Sequence, residues 1–212
     1  MSRGRFITFE GGEGAGKSTQ ARRLAAALRA EGLEVVETRE PGGSPGAEAI
    51  RALLVQGEAE RWTPTADALL MYAARSDHLD RVIRPALARG AWVVCDRFAD
   101  STRAYQGVGG GVSQDLVRAL EAGVVAADWP DLTLIFDLPV AAGLARADDR
   151  GGAEARFEAK GAAFHEKLRQ AFLDIAGREP DRCVVIDAAQ PIEAVETAVR
   201  EAVRARLEAF AA

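Results

Sequence analysis

Five short apolar runs recur along the chain: RFITFE (Arg5 to Glu10), LEVVETR (Leu33 to Arg39), AWVVCD (Ala91 to Asp96), LTLIFDL (Leu132 to Leu138) and CVVID (Cys183 to Asp187). They are rich in Val, Ile and Phe and nearly continuous in apolar character. Strands covered on both faces read this way, as in a parallel sheet between helical layers.

Helical spacing fills the intervals. Lys17 to Glu31 places Leu24 and Leu28 on one face, with Gly32 as a stop. Ala47 to Val55 predicts a short helix, and Thr65 to Arg89 a long one kinked or broken at Pro85. Ser113 caps a helix running to Ala126. Val140 to Ala147 and Phe157 to Ala176 flank a charged, Gly-containing break. The last helix carries Ile192, Val195, Val199, Val203 and Leu207 in one stripe, read as core packing. Strand and helix alternate, which predicts one doubly wound α/β domain over residues 1–212 with right-handed crossovers. Ligands in such folds sit beyond the C-terminal ends of the strands. The long connections after the second and fourth strands are candidate substrate and lid segments.

Composition narrows the class. With 212 residues, 48% apolar and 28% charged, the chain reads as a soluble globular protein with a full core. No apolar run spans a bilayer, and MSRGRFITFEGG lacks a signal peptide's apolar stretch, so cytoplasm is expected and a membrane is not. A net charge of −5 argues against a general nucleic-acid binder. Cys95 and Cys183 sit in the apolar runs WVVC and CVVI, and buried thiols are expected there rather than a disulfide or metal pair.

The first apolar run leads into GGEGAGKS, Gly11 to Ser18, which fits G-x-x-x-x-G-K-[ST] between a strand and a helix. Gly11, Gly14 and Gly16 let backbone N–H groups approach phosphate oxygens, and the helix directs its positive end at them. Lys17 reaches the terminal phosphates, and Ser18 offers a hydroxyl to Mg²⁺. The chain contains no asparagine, which removes the guanine reader of switch GTPases and the catalytic loop of protein kinases. Large motor and transporter ATPases need more chain. A small phosphotransferase remains, with ATP donating to a second bound molecule. Asp96 and Arg97, after the third strand, face the loop across the crevice. Asp96 suits Mg²⁺ or its water, and Arg97 an acceptor phosphate.

VCDRFADSTRAYQG, Val94 to Gly107, resembles the signature of bacterial thymidylate kinases. TREPGG (Thr38 to Gly43), AARSDHL (Ala73 to Leu79), PDLTLIFDL (Pro130 to Leu138) and DAAQPIEAV (Asp187 to Val195) resemble further elements of that family, in family order. The resemblance implies the P-loop kinase fold with a lid, a homodimer, Mg²⁺, and ATP and dTMP as substrates. It implies an ATP site over Gly11, Gly12, Glu13, Gly14, Ala15, Gly16, Lys17, Ser18 and Thr19, with Arg146 and Gln190. It implies dTMP contacts from Glu13, Arg39, Glu40, Arg51, Arg75, Arg97, Thr102, Tyr105 and Gln106, with Met71 or its neighbour Tyr72 stacked on thymine. One glutamine side chain supplies the donor and acceptor that a thymine edge needs.

Some members of the family carry a catalytic arginine inside the phosphate loop, where this chain has Gly14 and Ala15. Resemblance to the lid-arginine subgroup places that charge in GLARADDRGGAEARFE, a lid at about 146–158. Arg150 is then the catalytic arginine beside Lys17, Arg97 and Asp96, with Arg146 and Arg156 as supporting contacts. Two rivals remain: a nucleoside monophosphate kinase for another base, and a P-loop regulator without transfer. The second leaves VCDRFADSTRAYQG unexplained.

Overall fold

The computed structural model describes residues 3–58, 61–148, 160–207 and 209. Five strands, β1 (Phe6–Gly11), β2 (Val35–Arg39), β3 (Trp92–Asp96), β4 (Leu132–Asp137) and β5 (Cys183–Asp187), form one parallel sheet in the order β2-β3-β1-β4-β5. All five apolar runs are strands. β1 is central, with Phe9 paired to Asp96 on one side and to Leu134 on the other. The C-terminal ends of β1 and β3 therefore lie side by side, which brings the phosphate loop next to Asp96 and Arg97.

The period-2 alternation of β1 divides the core. Ile7 and Phe9 pack with Leu24 and Leu28 of α1 (Lys17–Ala30) and with Val199 and Val203 of the C-terminal helix. Phe6 enters the opposite layer with Tyr72, Leu79, Ile83 and Phe98. At roughly 2 kcal/mol for each large apolar side chain removed from water, these two layers dominate the sheet's stabilisation. Cys95 and Cys183 are buried free thiols.

α2 (Pro45–Val55) starts two residues before the expected helix, because Ser44 accepts from the Ala47 N–H and Pro45 fits the first turn. α3 (Pro64–His78) starts the same way, with the Thr63 side chain accepting from Ala66 N–H. The helix does not break at Pro85. It widens to one π turn at Leu79–Ile83 and continues as α4 (Arg84–Ala88). Pro85 has no N–H and its ring crowds the carbonyl of Arg81, and the wider turn just before it relieves both. α5 (Ala99–Thr102) runs into a second π segment, Arg103–Gly109, and α6 (Gln114–Leu120) into a third, Glu121–Val125.

α7 (Val140–Asp148), α8 (Ala162–Arg178) and α9 (Ile192–Leu207) complete the helices of the described residues. α8 begins five residues after the expected Phe157 start, and 157–159 lie outside the described residues. On α9, Val195, Val199, Val203 and Leu207 are buried as the stripe predicts, but Ile192 is 41% exposed. It is the first residue of α9, at the open end of the layer. Among the described residues, no helix is long and apolar enough to cross a membrane.

Candidate active site

Gly11 has a φ of +130°, and a Cβ there would lie 2.4 Å from the Phe136 carbonyl oxygen, so β1 can turn into the loop only with glycine at this point. Gly16, at φ +84°, takes the N-cap position of α1 with no side chain capping the helix, which leaves its first N–H groups for a ligand. Lys17 is buried and its Nζ donates to the Gly12 carbonyl at 2.6 Å. Burial and the positive charge of Arg97 lower its pKa to about 8, against the pull of Glu13, Asp96 and Glu10.

Ser18 Oγ hydrogen-bonds to Asp96 Oδ2, and Asp96 Oδ1 is buried with no hydrogen-bond partner among the described residues. A hydroxyl beside a carboxylate with an orphaned oxygen is a hard-oxygen pair that fits Mg²⁺.

Beyond the loop, a groove is lined by Gly14, Ala15, Gly16 and Thr19 on one side and by Arg146, Ala188, Gln190, Pro191 and Ile192 on the other. Arg146 donates to the Ala188 carbonyl at 3.3 Å, and Gln190 donates to Asp187 at 2.8 Å. Six of the residues expected at ATP thus share one groove.

A separate cavity opens on the other side of Glu13, where Glu40, Met71, Arg75, Arg97, Thr102, Tyr105 and Gln106 join it in the wall. Arg97 has a left-handed backbone, φ +69°. Its Nη1 donates to the Gly11 carbonyl at 3.0 Å and to Ser101 Oγ at 3.2 Å, and its Nη2 to Glu13 at 2.9 Å. The guanidinium lies over the Tyr105 ring, 5.1 Å from its centroid. Burial alone would raise the Glu13 carboxyl, but Arg97 and then Lys17 outweigh it and bring its pKa down to about 2. Burial pushes the Tyr105 hydroxyl well above its ordinary value, and Tyr105 donates to Glu13 at 2.6 Å.

The opposite wall rests on a buried charge chain. Arg75 Nε donates to Glu40 at 2.8 Å and its Nη2 to Thr102 at 3.1 Å, while Nη1 is buried without a partner among the described residues. The other Glu40 oxygen is 3.0 Å from His78 Nδ1, and His78 Nε2 is 2.8 Å from Thr38 Oγ1. Both Glu40 oxygens are therefore occupied by protein, whereas one Arg75 nitrogen has no partner among the described residues. Met71 lines the cavity; Tyr72 lies behind it in the core, with Arg75 over its ring at 4.6 Å.

Two expected residues stand apart from this cavity wall. Arg39 is half exposed, with Nη2 donating to both Glu48 oxygens of α2 at 3.1 Å, and Arg51 donates to the Pro41 carbonyl at 2.7 Å. Arg150 and Arg156 lie outside the described residues. The wall also contains Pro41, Val55, Phe98 and Ser101, which sequence reasoning did not single out. Phe98 and Ser101 were within reach, as members of the quoted Asp-Arg-aromatic and Ser-Thr motif.

A phosphate loop on the central strand of this parallel sheet, facing a second cavity rich in arginine, defines the class: a P-loop nucleotide kinase. A family model described as thymidylate kinase matches residues 9–199. The chain is 65% identical over 207 residues to the thymidylate kinase of Caulobacter vibrioides, covering 98% of this chain and 99% of that one. It is 56% identical over 196 residues to the thymidylate kinase of Pseudomonas entomophila, covering 92% and 93%. The crystal structure of thymidylate kinase from Ehrlichia chaffeensis superposes with a TM-score of 0.77 at 35% identity, over 95% of this chain and 99% of that one. The chain belongs to the thymidylate kinase family.

Proposed function

We propose that this chain acts as a thymidylate kinase. An oxygen of the dTMP 5′-phosphate attacks the γ-phosphorus of ATP in line, the bond from that phosphorus to the β–γ bridging oxygen breaks, and dTDP and ADP leave. The attacking oxygen is already anionic, so no strong base is needed.

The protein's part is position and charge. The uncapped start of α1 and the loop N–H groups hold the donor phosphates, and Lys17 follows the moving group. Arg97, held over Tyr105, takes the acceptor phosphate as a fork. Arg75, Thr102 and Gln106 read the thymine edge, with Met71 against the ring. Ser18 and Asp96 would hold Mg²⁺, which neutralises charge on the donor phosphates when bound. Arg150, on a lid at 146–158, supplies the remaining positive charge and helps exclude water. The reading includes a single domain over 1–212, cytoplasmic location and a homodimer. The exposed Leu53 and Leu69 on α2 and α3 support the last.

The observation that carries the reading is the pairing of an ATP-type groove with a second cavity beside Glu13, with Arg97 and Arg75 both in its wall. ADP release measured with and without dTMP, CMP, UMP or AMP tests it. Turnover led by dTMP is expected. A preference for another monophosphate, or hydrolysis indifferent to any acceptor, would overturn it.

A further inference from the structure

Glu10, at the end of β1, has no part in the roles above. It is fully buried. Its Oε1 accepts from the Phe98 N–H at 2.7 Å and the Ser101 N–H at 3.2 Å, and its Oε2 is 2.6 Å from Ser101 Oγ. All three partner atoms belong to Phe98 and Ser101, the N-cap and third residue of α5, just after Arg97 takes its left-handed conformation. Ser101 in turn accepts from Arg97 Nη1, and the same nitrogen donates to Gly11, the residue after Glu10. One buried side chain therefore ties the root of the phosphate loop to the turn that carries Arg97.

Hydrogen counting allows two arrangements, which differ in where the Ser101 hydrogen goes. Arg97 only donates, so Ser101 accepts from it and has one hydrogen to give. If Glu10 is a carboxylate, that hydrogen goes to Glu10. If Glu10 is the neutral acid, its own O–H spans the 2.6 Å contact, and the Ser101 hydrogen is released into the cavity that Ser101 lines. Burial, then the nearby Asp100, push the Glu10 carboxyl up to about 8, against Ser101, Arg97 and the Phe98 N–H. Lys17 from α1 and Arg75 from α3 also face it, as do the thiols of Cys95 on β3 and Cys183 on β5.

We propose that Glu10 is a positioning residue for the acceptor phosphate: as a neutral acid it clamps the Arg97–Ser101 turn and makes the Ser101 hydroxyl a donor toward the cavity. It touches no substrate. An ionised Glu10 would recapture the Ser101 hydrogen and set a negative charge behind the phosphate grip. The inference rests on the reading of Arg97 as the acceptor-phosphate residue.

The test is dTMP affinity by calorimetry without ATP, at pH 7.5 and pH 9, for wild type, Glu10→Gln, Glu10→Ala and Arg97→Ala, with steady-state KM alongside. A glutamine accepts from both N–H groups, donates to Ser101 and cannot ionise. Wild type should lose dTMP affinity by about fivefold to tenfold at pH 9, as the competent neutral fraction falls. Glu10→Gln should keep its affinity, although Lys17 is unchanged in it. Glu10→Ala should raise the KM for dTMP about tenfold, with little effect on the KM for ATP, because two buried N–H groups lose their acceptor. A Gln variant that weakens with pH as wild type does, or an Ala variant with normal dTMP KM, overturns the proposal. If the Ala variant fails to fold, the Gln profile alone decides. Undiminished dTMP binding by Arg97→Ala would instead bring down the reading beneath it; loss in Arg97→Ala with indifferent Glu10 variants would sink this inference alone.

Discussion

Arg97 Nη2 lies 2.9 Å from Glu13 Oε1, the same oxygen that accepts the Tyr105 hydroxyl at 2.6 Å. One carboxylate oxygen thus holds two walls of the acceptor cavity. Its pKa, about 2, is depressed from an ordinary 4.5. A depressed carboxyl contributes stability that is fully present above its unfolded value and is lost as pH falls through the folded one. Glu13→Gln should therefore be less stable than wild type at pH 6–7, on the order of 2 kcal/mol. The difference should shrink from about pH 4.5 downward. Urea unfolding across pH 3–7 measures this, and equal stability at pH 6 would contradict the ion pair's role.

The phosphate loop rests on α7 through two glycines. A Cβ on Gly14, whose φ is +69°, would fall 2.0 Å from the Gly143 carbonyl oxygen, and a Cβ on Gly143 would fall 2.5 Å from that of Glu13. Gly12 meets nothing within 4 Å. Gly14→Ala and Gly143→Ala should each lower the Tm by about 4–8 °C, from roughly 2 kcal/mol of backbone overpacking. Gly12→Ala should shift it by less than about 2 °C. Calorimetric melts of the three variants check the contrast, and equal melting temperatures would mean that the loop does not depend on this contact.

Arg150 carries the lid-arginine assignment. Arg150→Ala should lower kcat by ~10²–10³-fold, since an arginine placed on the moving phosphoryl group is worth at least that much in related transfers. dTMP affinity should change by less than about threefold, because the charge acts only in the transition state. Turnover matching wild type in a steady-state assay would remove Arg150 from the mechanism.

The Thr38–His78–Glu40–Arg75 chain runs from the half-buried Thr38 through buried His78 and Glu40 to Arg75 in the cavity wall. His78→Leu leaves one Glu40 oxygen and the Thr38 hydroxyl unpaired and should cost about 2–3 kcal/mol. It should also raise the KM for dTMP while leaving that for ATP near wild type. Chemical denaturation and the two KM values report on it; an unchanged dTMP KM would show that Arg75 keeps its place without the chain.

The sheet was legible because the three inner strands, β1, β3 and β4, are buried on both faces and read as unbroken apolar runs, while the partly exposed edge strands β2 and β5 still show paired valines; all five runs could be located to within two residues. The π turns were not. Widening a helix by one residue changes no side-chain chemistry, and the proline at 85 signalled a disturbance without giving its form. The cavity wall was legible where motif residues line it, as with Arg97, Tyr105 and Gln106. Glu10 escaped because a buried acid at a strand end has no signature of spacing; its importance lies in which distant N–H groups reach it. Arg39 shows the converse. Its motif position suggests a ligand contact, and the fold places it beside Glu48 on the surface.

The glycine pair at 14 and 143 has a consequence for charge on the loop. A basic side chain cannot enter the loop at position 14 while α7 stays where it is, and Ala15 beside it is buried in the core. Placing charge on the loop at position 14 thus requires α7 to move away from it. An arginine at position 14 is therefore a two-part change: the side chain and the seat of α7 must alter together.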